Sequence, residues 1–449
     1  MKRSLLMLII FFLACSSLWG IVQGDTLTIN GRKILKIWGS HQERGYAYGY
    51  LMGEAIQDVA LNYFLSYFCQ NNPTLFAYYR SYFDSNFQVE AHYVEEAAGL
   101  IVGMQDAGTS TYSTLLGRDL DETDVLVMNC LVDLTALQGW GEQNPFGCSS
   151  LSSWGTSTDA DPQLNGSLVI TRNMDWQSHP VLLNNHLLVV SLPSEPDELN
   201  WISISFPGLI GALSAVNSLG SSAFLNVGNY NSHPNINQLH PILFSVRDGL
   251  EKADFDGGGF HDPNDIAAAV AERTHLSGTI THAAGESLAV VIETNNQNGT
   301  VVRTIENNTV IPGENLVATN HFRLLYPPVY CYRYNNFADS LLSDPAISPD
   351  RSWNITTGAG GVSNNLHTIQ YIPAQGIIRW SAAIPGIPAY LLEPSTFLLD
   401  ELFDPGTLAE SPLPVPAKMV TVSPNPFHTT TTMSFDLPGK ENATLSLYN

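Results

Sequence analysis

The feature that most constrains the fold of this chain is a change in hydrophobic periodicity part-way along it. In the first part, apolar residues recur at helical spacing over residues 45–68, 89–104 and 124–137. Beyond this part, apolar and β-branched residues alternate with polar ones in segments such as "SLVITRNMDW", "HLLVVSL", "WISISF" and "LAVVIET". Two helical patterns, at 241–253 and 263–274, interrupt that region. We therefore expect an α+β protein in which a helical region precedes a core of stacked sheets.

The N-terminus has the pattern of a secretory signal peptide over residues 1–24. Two basic residues precede an apolar run at 5–14, and small or neutral residues precede Asp25. Lipidation at Cys15 is a second and weaker interpretation, because apolar residues continue beyond it. No later segment approaches about 20 uninterrupted apolar residues, so we do not expect stable membrane insertion. The sequence thus predicts a secreted or cell-surface protein.

The charge balance argues against a nucleic-acid partner. The chain carries only 19 Lys and Arg residues, and its formal net charge is −23. Such a chain repels phosphate backbones. We therefore do not expect a nucleic-acid partner, and the acidic charge otherwise indicates solubility and not a particular substrate.

The cysteines do not form a metal-binding or disulfide-rich pattern. Cys69, Cys130, Cys148 and Cys331 follow the signal segment, and no two of them have CxxC spacing. One or two disulfides remain possible in an oxidising compartment. The acidic, Gly-rich stretch at 254–265 departs from the spacing of an EF-hand loop and favours a solvated turn. We predict no metal and no cofactor.

The C-terminal part has the composition of a linker followed by a small β-module. Residues 409–418 are rich in proline, which predicts an extended linker after a catalytic region at 148–408. Residues 419–449 contain "VSPNPF" from position 422 and then alternate. This segment resembles the start of a C-terminal sorting domain of the bacterial type IX secretion system, or a related immunoglobulin-like module. The resemblance implies a bacterial envelope or extracellular protein whose C-terminal module is read by a secretion machinery.

The stretch "NPFGCSSL" carries the candidate chemistry. A cysteine at a strand start is usually a small buried hydrophobe. Here Cys148 is followed by "VITRNMDW", which brings Arg172 and Asp175 to the end of a second strand. A guanidinium and a carboxylate beside a thiol tune its ionisation and orient a neighbouring amine. The combination suits nucleophilic catalysis.

The motif resembles that of a known enzyme family. Gly-Cys-Ser-Ser followed by Arg-Asn-Met-Asp-Trp is similar to the N-terminal-nucleophile (Ntn) hydrolases of the acyl-coenzyme A:6-aminopenicillanate acyltransferase type. Bile salt hydrolases, penicillin V acylases and the acid-ceramidase group are more distant relatives. "GSHQERGYAYGYLMGEAI", "PGLIGALSAVNSLGSSAFLNVGN" and "NLVATNHF" extend the resemblance over roughly residues 39–394. It implies a four-layered αββα core with two stacked antiparallel sheets, preceded by a helical pro-region at 25–147.

The resemblance also implies activation by self-cleavage between Gly147 and Cys148. The thiol would attack the preceding carbonyl, and hydrolysis of the resulting thioester would leave a new N-terminal cysteine. Glycine offers an unhindered carbonyl at such a bond. The released α-amine, with an ordinary pKa of about 8, would serve as the base for its own thiol.

The same resemblance assigns the remaining roles by position. Asp175 would orient the α-amine, and Arg172 would hold nearby negative charge. Asn320 would donate its amide to a developing oxyanion, together with the backbone N–H of Val227. Asn226 would line the same oxyanion hole.

Three functions remain open at this level. The first is a secreted amidase or acyltransferase that cleaves a linear non-peptide amide. Trp154, Trp176 and Phe322 are candidates to line its acyl pocket, although core packing explains these side chains equally well. The second is a lipid amide or ester hydrolase; no GxSxG elbow is present, which disfavours a serine lipase but not a thiol enzyme. The third is a catalytically silent surface-binding protein.

Overall fold

The chain folds into two large β-sheets and a set of helices. The computed structural model describes residues 21–138, 147–228 and 237–404, together with short strands at 413–414, 421–423 and 432–434. The predicted mixed α+β class with two sheets is confirmed. Most of the predicted signal peptide and of the proline-rich linker lies outside the described residues, and both stay predictions.

One sheet has nine strands and the other has six. The strands are, in chain order, β1 (Gly24–Ile29), β2 (Arg32–Gly39), β3 (Cys148–Ser153), β4 (Val169–Asp175), β5 (Leu187–Pro193), β6 (Trp201–Ser205), β7 (Ser214–Asn217), β8 (Ser222–Val227), β9 (Thr279–Ala284), β10 (Ala289–Asn295), β11 (Gly299–Arg303), β12 (Asn315–Ala318), β13 (Asn365–Ile372), β14 (Ile377–Ala382) and β15 (Ser395–Leu398).

The strand order separates the sheets clearly. The nine-stranded sheet runs β11-β10-β9-β8-β7-β6-β5-β2-β1, and the six-stranded sheet runs β12-β3-β4-β13-β14-β15. The expectation of two wholly antiparallel sheets is wrong at one pair, because β2 and β5 run parallel. The chain leaves β2, forms several helices and a hairpin of the other sheet, and only then returns through β5. Such a long crossover allows two strands to run in the same direction.

The two sheets pack face to face through an apolar layer. Ile170 and Trp380 from the six-stranded sheet meet Ile204 and Phe224 from the nine-stranded sheet in one buried cluster. Alternate residues on each strand supply this layer, as expected for stacked sheets. The packed faces fix the distance between the two sheets.

Helices cover both outer faces. They are α1 (His41–Asp58), α2 (Pro73–Asn86), α3 (Ala91–Asp106), α4 (Glu122–Asn129), α5 (Leu131–Leu134), α6 (Pro180–Asn184), α7 (Ile242–Glu251), α8 (Pro263–Ala271), α9 (Tyr332–Ser343), α10 (Pro349–Gly360) and α11 (Leu399–Phe403). A π-helical segment, Val59–Phe68, continues α1. The α1, α3 and α7 side chains pack on the nine-stranded sheet, and α9 and α10 pack on the six-stranded sheet.

The pair α1 and α3 makes an unusually close contact. A Cβ atom on Gly45 would lie 2.0 Å from the carbonyl oxygen of Glu96, and one on Gly49 would lie 1.9 Å from that of Leu100. Only glycine permits this approach of two backbones. A Ser40–Glu43 capping box starts α1 immediately after β2.

The structure differs from the expected helical pro-region at its start. The hairpin β1–β2 precedes the helices and completes the nine-stranded sheet. Helices α2, α9 and α10 were also not predicted from the sequence. In the C-terminal segment, Thr421–Ser423 pairs antiparallel with Thr432–Ser434, and the rest of 419–449 lies outside the described residues. Among the described residues, no helix has the length and apolar character needed to cross a bilayer.

Candidate active site

Cys148 is the first residue of β3 and is almost completely buried. Its backbone N–H donates a 2.7 Å hydrogen bond to Oδ1 of Asn320. The preceding Gly147 lies against Arg333, whose Nη1 would be 2.8 Å from a Cβ atom at that position. The predicted scissile bond is therefore enclosed between a side-chain amide and a guanidinium.

Arg172 lies next to the thiol because β3 and β4 pair in an antiparallel register. In this register Cys148 is opposite Met174, and Ser150 is opposite Arg172. Nη2 of Arg172 is 3.6 Å from Sγ of Cys148. The guanidinium also donates to the hydroxyl of Ser214 and the carbonyl of Leu225, both on the nine-stranded sheet. Arg172 thus links the thiol to the opposite sheet.

The environment of the thiol keeps it protonated in the uncleaved chain. Burial raises the pKa of Cys148, and the positive charge of Arg172 opposes this shift only in part. The thiol must therefore give up its proton before or during any nucleophilic attack. No α-amine is present while the bond to Gly147 is intact.

Asp175 ends β4 and is fully buried. Its Oδ2 lies 3.1 Å from Nη1 of Arg333, and its Oδ1 accepts a 3.0 Å hydrogen bond from Nδ2 of Asn365. Burial raises the pKa of Asp175 to about 7, although Arg333 favours the charged form. A carboxyl with this pKa changes its charge near neutral pH.

Asn320 lies two residues beyond β12 and connects three groups. Its Oδ1 accepts from the Cys148 nitrogen and from Nη2 of Arg333, both at 2.7 Å. Its Nδ2 donates at 2.7 Å to the carbonyl of Val227. Two donors on one side and an acceptor on the other fix the orientation of this amide. The predicted donation to an oxyanion would require this Nδ2 to exchange its partner.

The predicted oxyanion residues lie at the end of β8, with their side chains on opposite faces of the strand. Nδ2 of Asn226 is 3.4 Å from the carbonyl of Thr319, and its Oδ1 has no hydrogen-bond partner among the described residues. Val227 lines the cavity beside Cys148. The structure therefore brings together all seven predicted site residues: Gly147, Cys148, Arg172, Asp175, Asn226, Val227 and Asn320.

The sequence analysis missed Arg333. It is the second residue of α9 and contacts both Asp175 and Asn320. It belongs to a helix that was not predicted, and it lies far along the chain from Asp175. Only the tertiary structure places it in the site. The sequence analysis also missed His367, whose Nε2 is 3.2 Å from Nη1 of Arg172.

An apolar cavity of about 40 Å³ opens beside the thiol. The residues that line it are Val59, Tyr63, Phe64, Met128, Leu131, Val132, Cys148, Arg172, Met174, Trp176, Leu182, Phe206, Leu209, Leu213, Leu225, Val227 and Leu243. Arg172 is the one charged residue of this lining. Residues on both sides of the predicted cleavage point contribute, including the π-helical segment after α1.

Of the three aromatic residues expected to line an acyl pocket, only Trp176 does so. Its Nε1 donates to the hydroxyl of Tyr63, which fixes the ring at the cavity wall. Trp154 and Phe322 follow the core-packing alternative, because both lie in the apolar layer between the sheets. Periodicity indicates that a residue is buried but not in which layer.

Comparisons with known proteins give limited likenesses. No family model matches the chain, and no curated protein matches it. Among solved structures, the chain is similar to a Caenorhabditis elegans ortholog of N-acylethanolamine-hydrolyzing acid amidase, with 16% identity, a TM-score of 0.38, and coverage of 50% of this chain and 93% of that one. It is also similar to a mutant of conjugated bile acid hydrolase from Clostridium perfringens, with 11% identity, a TM-score of 0.34, and coverage of 56% of this chain and 93% of that one. For penicillin V acylase from Agrobacterium tumefaciens the identity is 10% and the TM-score is 0.33, with coverage of 56% of this chain and 85% of that one.

Three further cysteines lie in the described residues, and one of them, Cys331, is close to the site, with its Sγ 3.7 Å from Oγ1 of Thr319. Cys69, Cys130 and Cys331 are buried free thiols, so the described residues contain no disulfide. In the 254–265 stretch, the carboxylate of Asp265 accepts hydrogen bonds from the backbone N–H groups of Phe255 and Asp262. These bonds organise a turn in which Asp265 is buried and not solvated, and carboxylate oxygens of Asp254, Asp256 and Asp265 lie within 4.8 Å of one another.

Proposed function

We propose that the protein is a secreted, self-processing cysteine hydrolase of the Ntn type that cleaves a linear amide bearing an apolar acyl group. The observation that carries the proposal is the position of the Cys148 thiol, which lies between the guanidinium of Arg172 and an apolar cavity while its backbone nitrogen is held by Asn320. The order of helix, sheet, sheet and helix layers is the αββα arrangement expected for such a core.

Self-cleavage is the first step. Sγ of Cys148 attacks the carbonyl carbon of Gly147, the C–N bond breaks, and the thiol proton goes to the departing nitrogen. A thioester and an α-amine result. Water then adds to the thioester, giving the Gly147 carboxylate and the free thiol. Arg333 lies beside Gly147, where its charge would stabilise negative charge on the attacked carbonyl.

Turnover follows from the same groups. The new α-amine takes the proton of its own thiol, and Asn320, which already binds the Cys148 nitrogen, would hold that amine together with Asp175. The thiolate attacks the substrate carbonyl, and the protonated amine returns a proton to the leaving nitrogen. Hydrolysis of the acyl thioester completes the cycle. Asn226 and the Val227 N–H would support the oxyanion, once substrate displaces the present bonds of this region.

The cavity lining favours an apolar acyl group. A hydrocarbon chain has no hydrogen bonds to water to give up when it enters such a cavity. A polar chain would have its polar groups buried without hydrogen-bond partners, which costs free energy. A volume of about 40 Å³ holds about three water molecules, so an acyl chain must displace lining side chains as it enters. The alternative of a lipid amide or ester hydrolase shares this pocket and differs only in the leaving group.

A trapping experiment tests the proposal. The purified protein is incubated with octanoyl, acetyl and succinoyl 4-nitroanilides, and the fragment masses are recorded after acid quench. We expect fastest release of nitroaniline from the octanoyl compound and an acyl adduct on the fragment that begins at Cys148. Cys148→Ala should abolish both, and Cys69→Ala, which changes a buried thiol outside the site, should abolish neither. Equal rates for octanoyl and succinoyl compounds would contradict the apolar-acyl proposal.

A further inference from the structure

A buried histidine connects the nucleophile strand to the opposite sheet. His282 lies on β9 and is completely buried. Its Nδ1 is 2.7 Å from the hydroxyl of Ser150, and its Nε2 is 2.9 Å from that of Ser152. Both ring nitrogens are therefore engaged by one strand, β3, which begins at Cys148.

The two serines share a strand face with the nucleophile. Cys148, Ser150 and Ser152 are spaced by two, so their side chains point to the same side of β3. Ser149 and Ser153 point to the other side of β3, and among the described residues their buried hydroxyls have no hydrogen-bond partner. Ser152, whose hydroxyl contacts His282, and Ser153, whose hydroxyl has no partner among the described residues, are therefore adjacent on one strand.

The strand of His282 is also the neighbour of the predicted oxyanion strand. In the pairing of β9 with β8, His282 is opposite Phe224 and Ile280 is opposite Asn226. The bridge therefore connects the strand that carries the thiol with the strand pair that carries Asn226 and Val227. Arg172 and Asn320 also hydrogen-bond to the nine-stranded sheet, but the rest of the layer around the bridge is apolar. Apolar contacts are less directional than hydrogen bonds and constrain the relative position of two strands less.

The bridge needs both serines because the imidazole is neutral. Burial, with a smaller contribution from the charge of Arg303, lowers the pKa of His282 to about 3. A neutral ring donates through one nitrogen and accepts through the other, and serine hydroxyls serve either role. Loss of either hydroxyl leaves a buried ring nitrogen without a partner.

We propose that His282 is a positioning residue for the reaction of Cys148. By holding Ser150 and Ser152, it fixes the position of β3 against β8 and β9, and so the position of the thiol relative to the oxyanion groups of Asn226 and Val227. This inference rests on the proposed function, because it concerns the rate of the same thiol. It acts in self-cleavage and in turnover alike.

The test compares two adjacent serines of the same type and burial. Ser152→Ala removes one arm of the bridge, and Ser153→Ala removes a hydroxyl without a partner. Self-cleavage is followed by pulse-labelled cell-free synthesis, and turnover is followed with octanoyl 4-nitroanilide. We expect Ser152→Ala to lower the self-cleavage rate and kcat about tenfold with KM unchanged, since small misplacements of reacting atoms cost large factors in rate. Ser153→Ala should stay within about twofold of wild type on the same reasoning.

Two further variants separate positioning from general stability. Ser152→Thr keeps the hydroxyl and should restore most of the rate. Ser152→Ala combined with His282→Gln should be no slower than His282→Gln alone, because both changes act on one bridge. Thermal unfolding midpoints are recorded for every variant.

The outcomes are distinct. A Ser152→Ala protein that cleaves and turns over like Ser153→Ala overturns the inference while leaving the proposed function intact. The inference is also overturned if Ser152→Ala and Ser153→Ala both lose rate in proportion to the fall in their unfolding midpoints. A folded wild-type chain that neither cleaves nor turns over overturns the proposed function, and this inference with it.

Discussion

The backbone nitrogen of Cys148 lies 2.7 Å from Oδ1 of Asn320, so the start of β3 is tied to the residue that follows β12. This contact orients the amide that self-cleavage would break. It also leaves Asn320 placed to hold the α-amine that cleavage would create. The same side chain would therefore serve both the precursor and the mature enzyme.

We expect Asn320→Ala to slow self-cleavage by about two orders of magnitude, because loss of a group that positions the reacting amide can cost this much in rate. The rate is measured as the fraction of full-length chain remaining over time by intact mass. Asn62→Ala, an exposed site, is the matched control. If a folded Asn320→Ala protein cleaves itself at the wild-type rate, Asn320 has no role in self-cleavage.

Arg333 gives a prediction for pH dependence. Its guanidinium favours the charged form of Asp175, whose pKa burial nevertheless raises to about 7. Arg333→Ala removes a positive charge from the carboxylate, so the pKa of Asp175 should rise further. The acid limb of the kcat profile should then move to higher pH. Arg351→Ala, which changes an arginine on α10, should leave the profile in place; a profile equally unmoved by Arg333→Ala would contradict this role.

His41 gives a prediction for stability. Burial disfavours its charged form, but hydrogen bonds to Glu198 and Glu96 prevail and raise its pKa to about 9, while Arg247 acts in the opposite direction. Because the folded-state pKa exceeds the unfolded value of about 6.5, protonated His41 stabilises the fold fully below that pH. The contribution is lost as pH rises through about 9.

Urea unfolding between pH 6 and pH 10 measures this effect. The free energy of unfolding of wild type should fall by up to about 3 kcal/mol more than that of His41→Gln over that range, since each pKa unit corresponds to about 1.36 kcal/mol. Comparison with His41→Gln removes the contribution of other groups that titrate at high pH. Parallel curves for the two proteins would show that His41 carries no such linkage.

Buried ion pairs predict that the two chains stay together after cleavage. Arg44 of α1 lies 3.0 Å from Glu195 and 3.3 Å from Glu251, both beyond the predicted cleavage point. Arg247 of α7 lies 2.9 Å from Glu96 of α3. Separation would leave these charges without partners and would expose the apolar layer under the helices.

The fragments should therefore coelute on size exclusion in native buffer with reductant, and separate only on a denaturing gel. Reductant is included because the described cysteines are free, so no covalent link is expected. Elution of the N-terminal fragment alone under native conditions would refute the prediction.

Local patterns predicted much of the fold. The helical spacing at 89–104 matches α3 at Ala91–Asp106, and the alternation after Cys148 matches strands of both sheets. The β1–β2 hairpin was missed although a signal was present. Asn30 and Gly31 form its turn with positive φ angles of 51° and 75°, and an Asn-Gly pair between alternating segments is a strong hairpin signal.

Other features depend on long-range packing that no local pattern encodes. The parallel pairing of β2 with β5 follows from the path of the intervening chain. Arg333 enters the site through the placement of α9, and Trp154 is directed to the layer between the sheets rather than to the cavity. The proximity of Arg172 to Cys148 could be predicted from the sequence because β3 and β4 are close along the chain and pair directly.

The measurement that tests the central claim most directly is intact mass with N-terminal sequencing of purified wild type beside Cys148→Ala. The account predicts that wild type yields two fragments, one of which begins at Cys148, and that the folded Cys148→Ala protein stays whole. A folded wild-type protein that remains a single chain would contradict it, because Cys148 would then have no α-amine to act as its base.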